Sequence, residues 1–94
     1  MTPKYKLLFT ELAERQLKCW RQSGQKKTCK KLADLLEELT LHPETGSGHV
    51  EPLKGNMQGL WSRKITKGDR LIYSIEEDRV VVVVISMKGH YGDK

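Results

Sequence analysis

Cysteine is scarce in this 94-residue sequence: Cys19 and Cys29 are the whole complement, too few for a disulfide framework. Both fall within helical patterns, where a buried thiol is an ordinary packing residue. Neither belongs to a C-x-x-C pair and no histidine stands at ligand spacing from them, so a metal site is not expected. Long apolar runs are missing as well. Met1-Thr2-Pro3-Lys4 leads into an apolar stretch far shorter than a membrane span, so neither a signal peptide nor a spanning helix is expected there. Internal repeats and low-complexity tracts are absent. The expectation is a soluble cytoplasmic protein with no membrane partner, forming one domain over residues 1–94.

What the chain has in quantity is charge. Lysine and arginine total 17 against 12 acids, giving a net charge of +5 and a pI near 9.3. Such a balance suits an anionic partner, with a merely solvated basic surface as the plain alternative. A chain this size has one modest core, so a partner can add materially to its stability.

Tyr5-Lys6-Leu7-Leu8-Phe9 reads as a strand, short, apolar and flanked by aromatics. Thr10 can cap the helix that follows, with Glu11 and Glu14 complementing its dipole and Leu12, Ala13, Leu17 and Trp20 close to one face. Ser23-Gly24 breaks it. A second helix carries Cys29, Leu32, Ala33, Leu36 and Leu39 at three- and four-residue spacing, widened by Leu35, and ends at His42-Pro43. Lysines 26, 27, 30 and 31 crowd its start, where positive charge is unfavourable. They are a solvated face or a surface kept for a partner. A glycine-rich loop at 45–49 precedes strands at Leu60–Ile65, Arg70–Ile75 and Val80–Ile85. The last, five valines and an isoleucine without alternation, fits a central strand buried on both faces. The order β-α-α-β-β-β implies an α+β domain: two helices on a small, mostly antiparallel four-stranded sheet.

Residues of catalytic type gather outside the helices. Glu51 is a candidate base, its backbone restricted by Pro52. Arg63 and Arg70 lie on neighbouring strands and their planar forks suit phosphate oxygens; Lys54 and Lys64 add charge. His90 follows the last strand, and imidazole suits a general acid near neutral pH. Tyr91 can stack on a base. Together they match metal-free RNA cleavage, which needs a base at the ribose 2′-hydroxyl, an acid at the leaving 5′-oxygen and cations around the phosphorus. Each also has an ordinary reading: a surface glutamate, arginines paired across the sheet, a frayed His-Tyr terminus. Trp61 and Tyr73 read as packing residues, and His42 and His49 receive no role.

Four motifs taken together are specific: Val50-Glu51-Pro52-Leu53-Lys54, Gly59-Leu60-Trp61-Ser62-Arg63-Lys64-Ile65, Asp69-Arg70-Leu71-Ile72-Tyr73 and Gly89-His90-Tyr91. They closely resemble the Txe/YoeB family of RelE-type toxins of bacterial toxin-antitoxin systems, and the resemblance extends over nearly the whole chain. It implies a ribosome-dependent mRNA endoribonuclease, without metal or cofactor, that cuts the A-site codon and leaves a 2′,3′-cyclic phosphate and a 5′-hydroxyl. By position it makes Glu51 the general base, His90 the general acid and Arg70 the transition-state clamp. Arg63, Lys54 and Lys64 become phosphate contacts and Tyr91 the substrate-positioning aromatic. The implied partners are a cognate antitoxin of the YefM/Phd kind, the ribosome with its mRNA, and a second copy in a homodimer. The sequence departs from the family in two places: Gly92-Asp93-Lys94 follow the His-Tyr pair, and Lys64 stands where arginine is common, keeping charge but losing the bidentate fork. Two other readings remain at this stage, a non-catalytic inhibitor of the same RelE/ParE fold and an RNA- or ribosome-binding module.

Overall fold

Thr10 marks the first change from strand to helix, and it links both elements to the far end of the chain. In the computed structural model, which describes residues 4–89, β1 (Lys6–Phe9) ends just before it and α1 (Glu11–Gln22) begins just after. The Thr10 hydroxyl accepts from the Ala13 N–H at 3.0 Å, as the capping expectation requires, and donates to the Ile85 carbonyl at 2.7 Å. A short turn with Gly24 in the left-handed region leads into α2 (Lys26–Leu41). Its first turn holds no acid and Gln25 supplies no side-chain cap, so the lysine cluster stands exposed at an uncompensated helix start. His42 closes the helix, as its Pro43 neighbour dictates.

The remaining strands are β2 (Glu51–Pro52), β3 (Leu60–Thr66), β4 (Asp69–Glu76) and β5 (Val81–Ser86), with a 3-10 turn at Gly55–Met57. They form one sheet in the order β1-β5-β4-β3-β2, antiparallel except for β1 against β5. The α+β class and the helix pair are as expected. The strand count is five rather than four. The addition is β2, two residues long, with Glu51 opposite Ser62 and Pro52 opposite Trp61; a strand that short has no periodicity to read.

Ala13 and Trp20 from α1, and Leu32, Leu35 and Leu39 from α2, pack on Leu71, Tyr73, Val82 and Val84 of the sheet. Each such leucine or valine side chain contributes about 1.5–3 kcal/mol when fully removed from water. Leu12, expected near this face, is 43% exposed, and Ala33 is exposed too. The valine run is interior on the helix side, but Val83 and Ile85 on its other side are only half-buried. Val80, expected within the strand, instead sits in the preceding turn at φ 53°, an unusual conformation for a β-branched residue. No helix among the described residues is long and apolar enough to cross a membrane.

Candidate active site

Strand register decides which charged residues meet. Side chains directly opposed across an antiparallel pair share a face, and neighbours along a strand alternate. Glu51 opposes Ser62, and Lys64 opposes Arg70. Glu51, Ser62, Lys64 and Arg70, from β2, β3 and β4, therefore lie on one face of the sheet. The pairs Trp61–Tyr73 and Arg63–Leu71 take the other face, which the helices cover.

On the first face, an open cleft of about 330 Å3 is lined by His49, Val50, Glu51, Lys64 and Arg70. A second hollow, of about 360 Å3, is lined by Glu51, Pro52, Leu53 and Lys54. Glu51 borders both, an exposed carboxylate with Lys64 and Arg70 on one side and the exposed Lys54 on the other. Arg70 is half-buried, with Nη1 3.4 Å from the Thr66 carbonyl. Beneath lies Ser62, whose hydroxyl is the one buried side-chain polar atom without a partner among the described residues. The cleft thus combines a proton acceptor with two cations, the equipment to hold a phosphodiester and deprotonate a hydroxyl next to it.

Arg63 does not join them, which corrects its expected role as a phosphate contact. One residue out of phase with Lys64, it points into the core and is 0% exposed. A guanidinium there needs partners for all its donors. Nη1 reaches Glu38 Oε1 at 2.7 Å and the Ser47 carbonyl at 3.4 Å; Nη2 reaches the carbonyls of His42 at 2.6 Å and Thr45 at 2.8 Å. Nε donates to the Tyr73 hydroxyl at 3.1 Å, and that hydroxyl donates to the Pro43 carbonyl at 2.7 Å. Arg63 is the peg on which the 42–48 loop hangs. Glu38 completes the anchorage by accepting from the Ser47 N–H at 2.9 Å. That bond and the Arg63 guanidinium hold the Glu38 carboxyl below its usual range, against the opposing effect of partial burial. Burial pushes the Tyr73 hydroxyl up, with Arg63 working the other way. Gly46, at φ 122°, holds a conformation that side chains rarely adopt, and a Cβ there would push the Glu38 carboxylate from its place beside Arg63.

The anchored loop leads straight to the cleft. The Gly48 carbonyl accepts from the Lys64 backbone N–H, and the next residue, His49, turns through φ 53°. The structure therefore sets His49, given no role from sequence, among the lining residues. Sequence spacing carried no signal for this, because the chain reaches Glu51 through a turn, with His49 in the left-handed region, and not along an extended strand.

The segment after β5 is held from two sides. Gln16 accepts from the Met87 N–H, and Trp20 Nε1 donates to the Met87 carbonyl at 2.8 Å. Asp69 Oδ1 accepts from the Gly89 N–H and the Arg70 N–H donates to the Gly89 carbonyl, both at 2.9 Å. Gly89 is thereby fixed against the strand that carries Arg70. His90 and Tyr91, the expected acid and aromatic, lie outside the described residues. No group of three or more His, Cys, Asp or Glu able to hold a metal occurs among the described residues.

A helical hairpin packed on one face of such a sheet is the fold of the RelE-like proteins. The archaeal RelE of a RelE-RelB complex from Pyrococcus horikoshii superposes at a TM-score of 0.72 over 96% of this chain and 99% of its own, at 19% identity, so the likeness is one of fold. Within that class the chain belongs to the YoeB-like toxins of bacterial type II toxin-antitoxin systems, whose sequence profile matches residues 9–91. Toxin YoeB of Synechocystis is 37% identical over 86 residues, 92% of this chain and 96% of that protein. A YoeB/ParE toxin from Agrobacterium tumefaciens is 34% identical, with a TM-score of 0.83 over 92% of this chain and 99% of its own. YoeB of Staphylococcus aureus, solved as a YoeB-YefM complex and as a dimer, is 30% identical with TM-scores of 0.77 and 0.78, over 94% of this chain and 99% of its own.

Proposed function

We propose that this toxin domain is a ribosome-dependent mRNA endoribonuclease that cleaves by attack of the ribose 2′-hydroxyl on the adjacent phosphorus. The observation carrying this reading is the shared face of Glu51, Lys64 and Arg70, set by strand register and opening on one cleft. Glu51 takes the 2′-hydroxyl proton as the new O2′–P bond forms. Arg70 stabilises the charge that builds on the non-bridging oxygens, with Lys64 beside it and Lys54 on a neighbouring phosphate. The P–O5′ bond breaks and the leaving oxygen takes a proton from His90, which follows the Gly89 anchored against β4. Tyr91 stacks on the substrate base. The products are a 2′,3′-cyclic phosphate and a 5′-hydroxyl, and every proton is carried by a side chain.

The same reading gives this chain two protein partners. A cognate antitoxin of the YefM/Phd kind covers the cationic face with an acidic or amphipathic segment, and a second copy forms a homodimer; the staphylococcal relative is known both in complex with YefM and as a dimer. Expression of the wild type and of Glu51→Ala, Arg70→Ala and His90→Ala, with 5′ ends mapped on ribosome-bound mRNA, tests the proposal. Wild type should produce new ends within ribosome-occupied codons and stop growth, and each variant should relieve both. Growth arrest without new mRNA ends would instead point to a non-catalytic inhibitor or a binding module.

A further inference from the structure

Resting on the reading of this cleft as an RNA site, we propose that His49 is an additional substrate-binding residue, an imidazolium that joins Lys64 and Arg70 on the phosphates and makes the grip tighten as pH falls. Three observations place it there. His49 lines the same cleft as Glu51, Lys64 and Arg70. Its backbone is in the left-handed region, φ 53°, a conformation uncommon outside glycine and informative where it faces a site. The loop before it is among the most firmly anchored parts of the surface. Buried Arg63 binds three of its carbonyls, Glu38 binds its Ser47 N–H, and the Gly48 carbonyl is bonded to the backbone of Lys64. Gly48, at φ 85°, leaves little room beneath it: a Cβ would come within 3.1 Å of the Lys64 carbonyl and 3.3 Å of Leu35. The anchorage therefore delivers His49 at a fixed place on the cleft wall.

The chemistry follows from the charges around it. Glu51 from β2, Lys64 from β3 and Arg70 from β4 are the charged groups that line the cleft with it. The Glu38–Arg63 pair beneath the loop is internally compensated. A bound RNA phosphate adds negative charge on the same side as Glu51 and draws the proton onto His49. Binding and protonation are then linked, because imidazole is the side chain whose charge changes between about pH 5 and pH 8.

The test measures binding of a short single-stranded RNA with 2′-fluoro riboses, which lacks the attacking hydroxyl, to the full chain between about pH 8 and pH 5. The variants are His49→Asn, because asparagine tolerates the left-handed backbone, and His49→Lys. Thermal melts confirm that both fold. Wild type should bind about two- to fivefold tighter at the acid end, the effect of one exposed ion pair. Its log-affinity against log-salt slope should steepen by about 0.7, the value for one more phosphate contact on a single strand. Because His42 and His90 are present in every protein compared, the difference between wild type and His49→Asn isolates His49. His49→Asn should lose that part of the acid tightening and of the slope change. His49→Lys should bind at the alkaline end as wild type does at the acid end. A His49→Asn protein with the full wild-type pH response overturns the proposal, as does a His49→Lys protein no tighter than His49→Asn. If Arg70→Ala abolishes binding while His49→Asn leaves it untouched, the cleft is still the RNA site and only the His49 role falls. No RNA binding by the wild type overturns the His49 proposal, and the cleavage reading is then decided by the 5′ ends mapped on ribosome-bound mRNA.

Discussion

Between Arg63 and Lys64 the chain advances one residue and crosses from the core face of β3 to the cleft face. The two cations therefore respond to different measurements. Arg63→Ala removes the buried partner of a half-buried ion pair and orphans three carbonyls, and is expected to destabilise the fold by about 3–5 kcal/mol in denaturant titrations. Arg63→Lys should recover little of this, since one ammonium cannot span Glu38, Tyr73 and the loop. Lys64→Ala should leave stability within about 0.5 kcal/mol and instead reduce the salt dependence of RNA binding by about 0.7 in slope. A stable Arg63→Ala protein that has lost only RNA affinity would reverse these assignments. The parity was legible: Trp61, Arg63 and Ile65 alternate with Leu60, Ser62 and Lys64, so an apolar Trp61 and Ile65 draw Arg63 inward. The pull of its residue type towards phosphate hid that signal, because a buried arginine becomes visible only when its partners on α2 and the 42–48 loop are known.

At the scale of elements, Thr10 shows how local signals and long-range contacts coincide. Its cap was readable from sequence, and its second bond, to Ile85, was not, because that partner lies 75 residues away. Thr10→Ala is expected to cost about 1–2 kcal/mol by losing the cap and that bond, while Thr10→Ser should retain most of the stability. Equal melting temperatures for wild type and Thr10→Ala would refute the link. The two helices and four of the strands announce themselves by periodicity and turn residues. The two-residue β2 and the parallel pairing of β1 with β5 have no local signature. Yet β2 is what sets Glu51 opposite Ser62, on the face of Lys64 and Arg70.

Over the whole molecule, the site depends on one half-buried electrostatic joint. The Glu38 carboxyl is held below its usual range in the folded chain, first by the Ser47 N–H and also by Arg63. Its contribution to stability is therefore complete above the unfolded carboxylate value and is lost as pH falls through the lower folded value. The net charge of +5 grows on acidification and adds self-repulsion in the same direction. Melting temperature should fall below about pH 4.5, and Glu38→Gln should be less stable at neutral pH with a flatter acid limb. Parallel acid limbs for the two proteins would remove Glu38 from this role. The helical half of the molecule thus holds the 42–48 loop, and the loop holds the cleft.

Cleavage of RNA by way of the 2′-hydroxyl, proposed for the cleft bounded by Glu51, Lys64 and Arg70, is tested most directly by the end chemistry of mRNA incubated with the purified toxin on programmed ribosomes, in the presence of a metal chelator. A 2′,3′-cyclic phosphate and a 5′-hydroxyl at the A-site codon are predicted, abolished by replacing the attacking 2′-hydroxyl with hydrogen and by Glu51→Ala. Uncut mRNA, or a 5′-phosphate product, would contradict it.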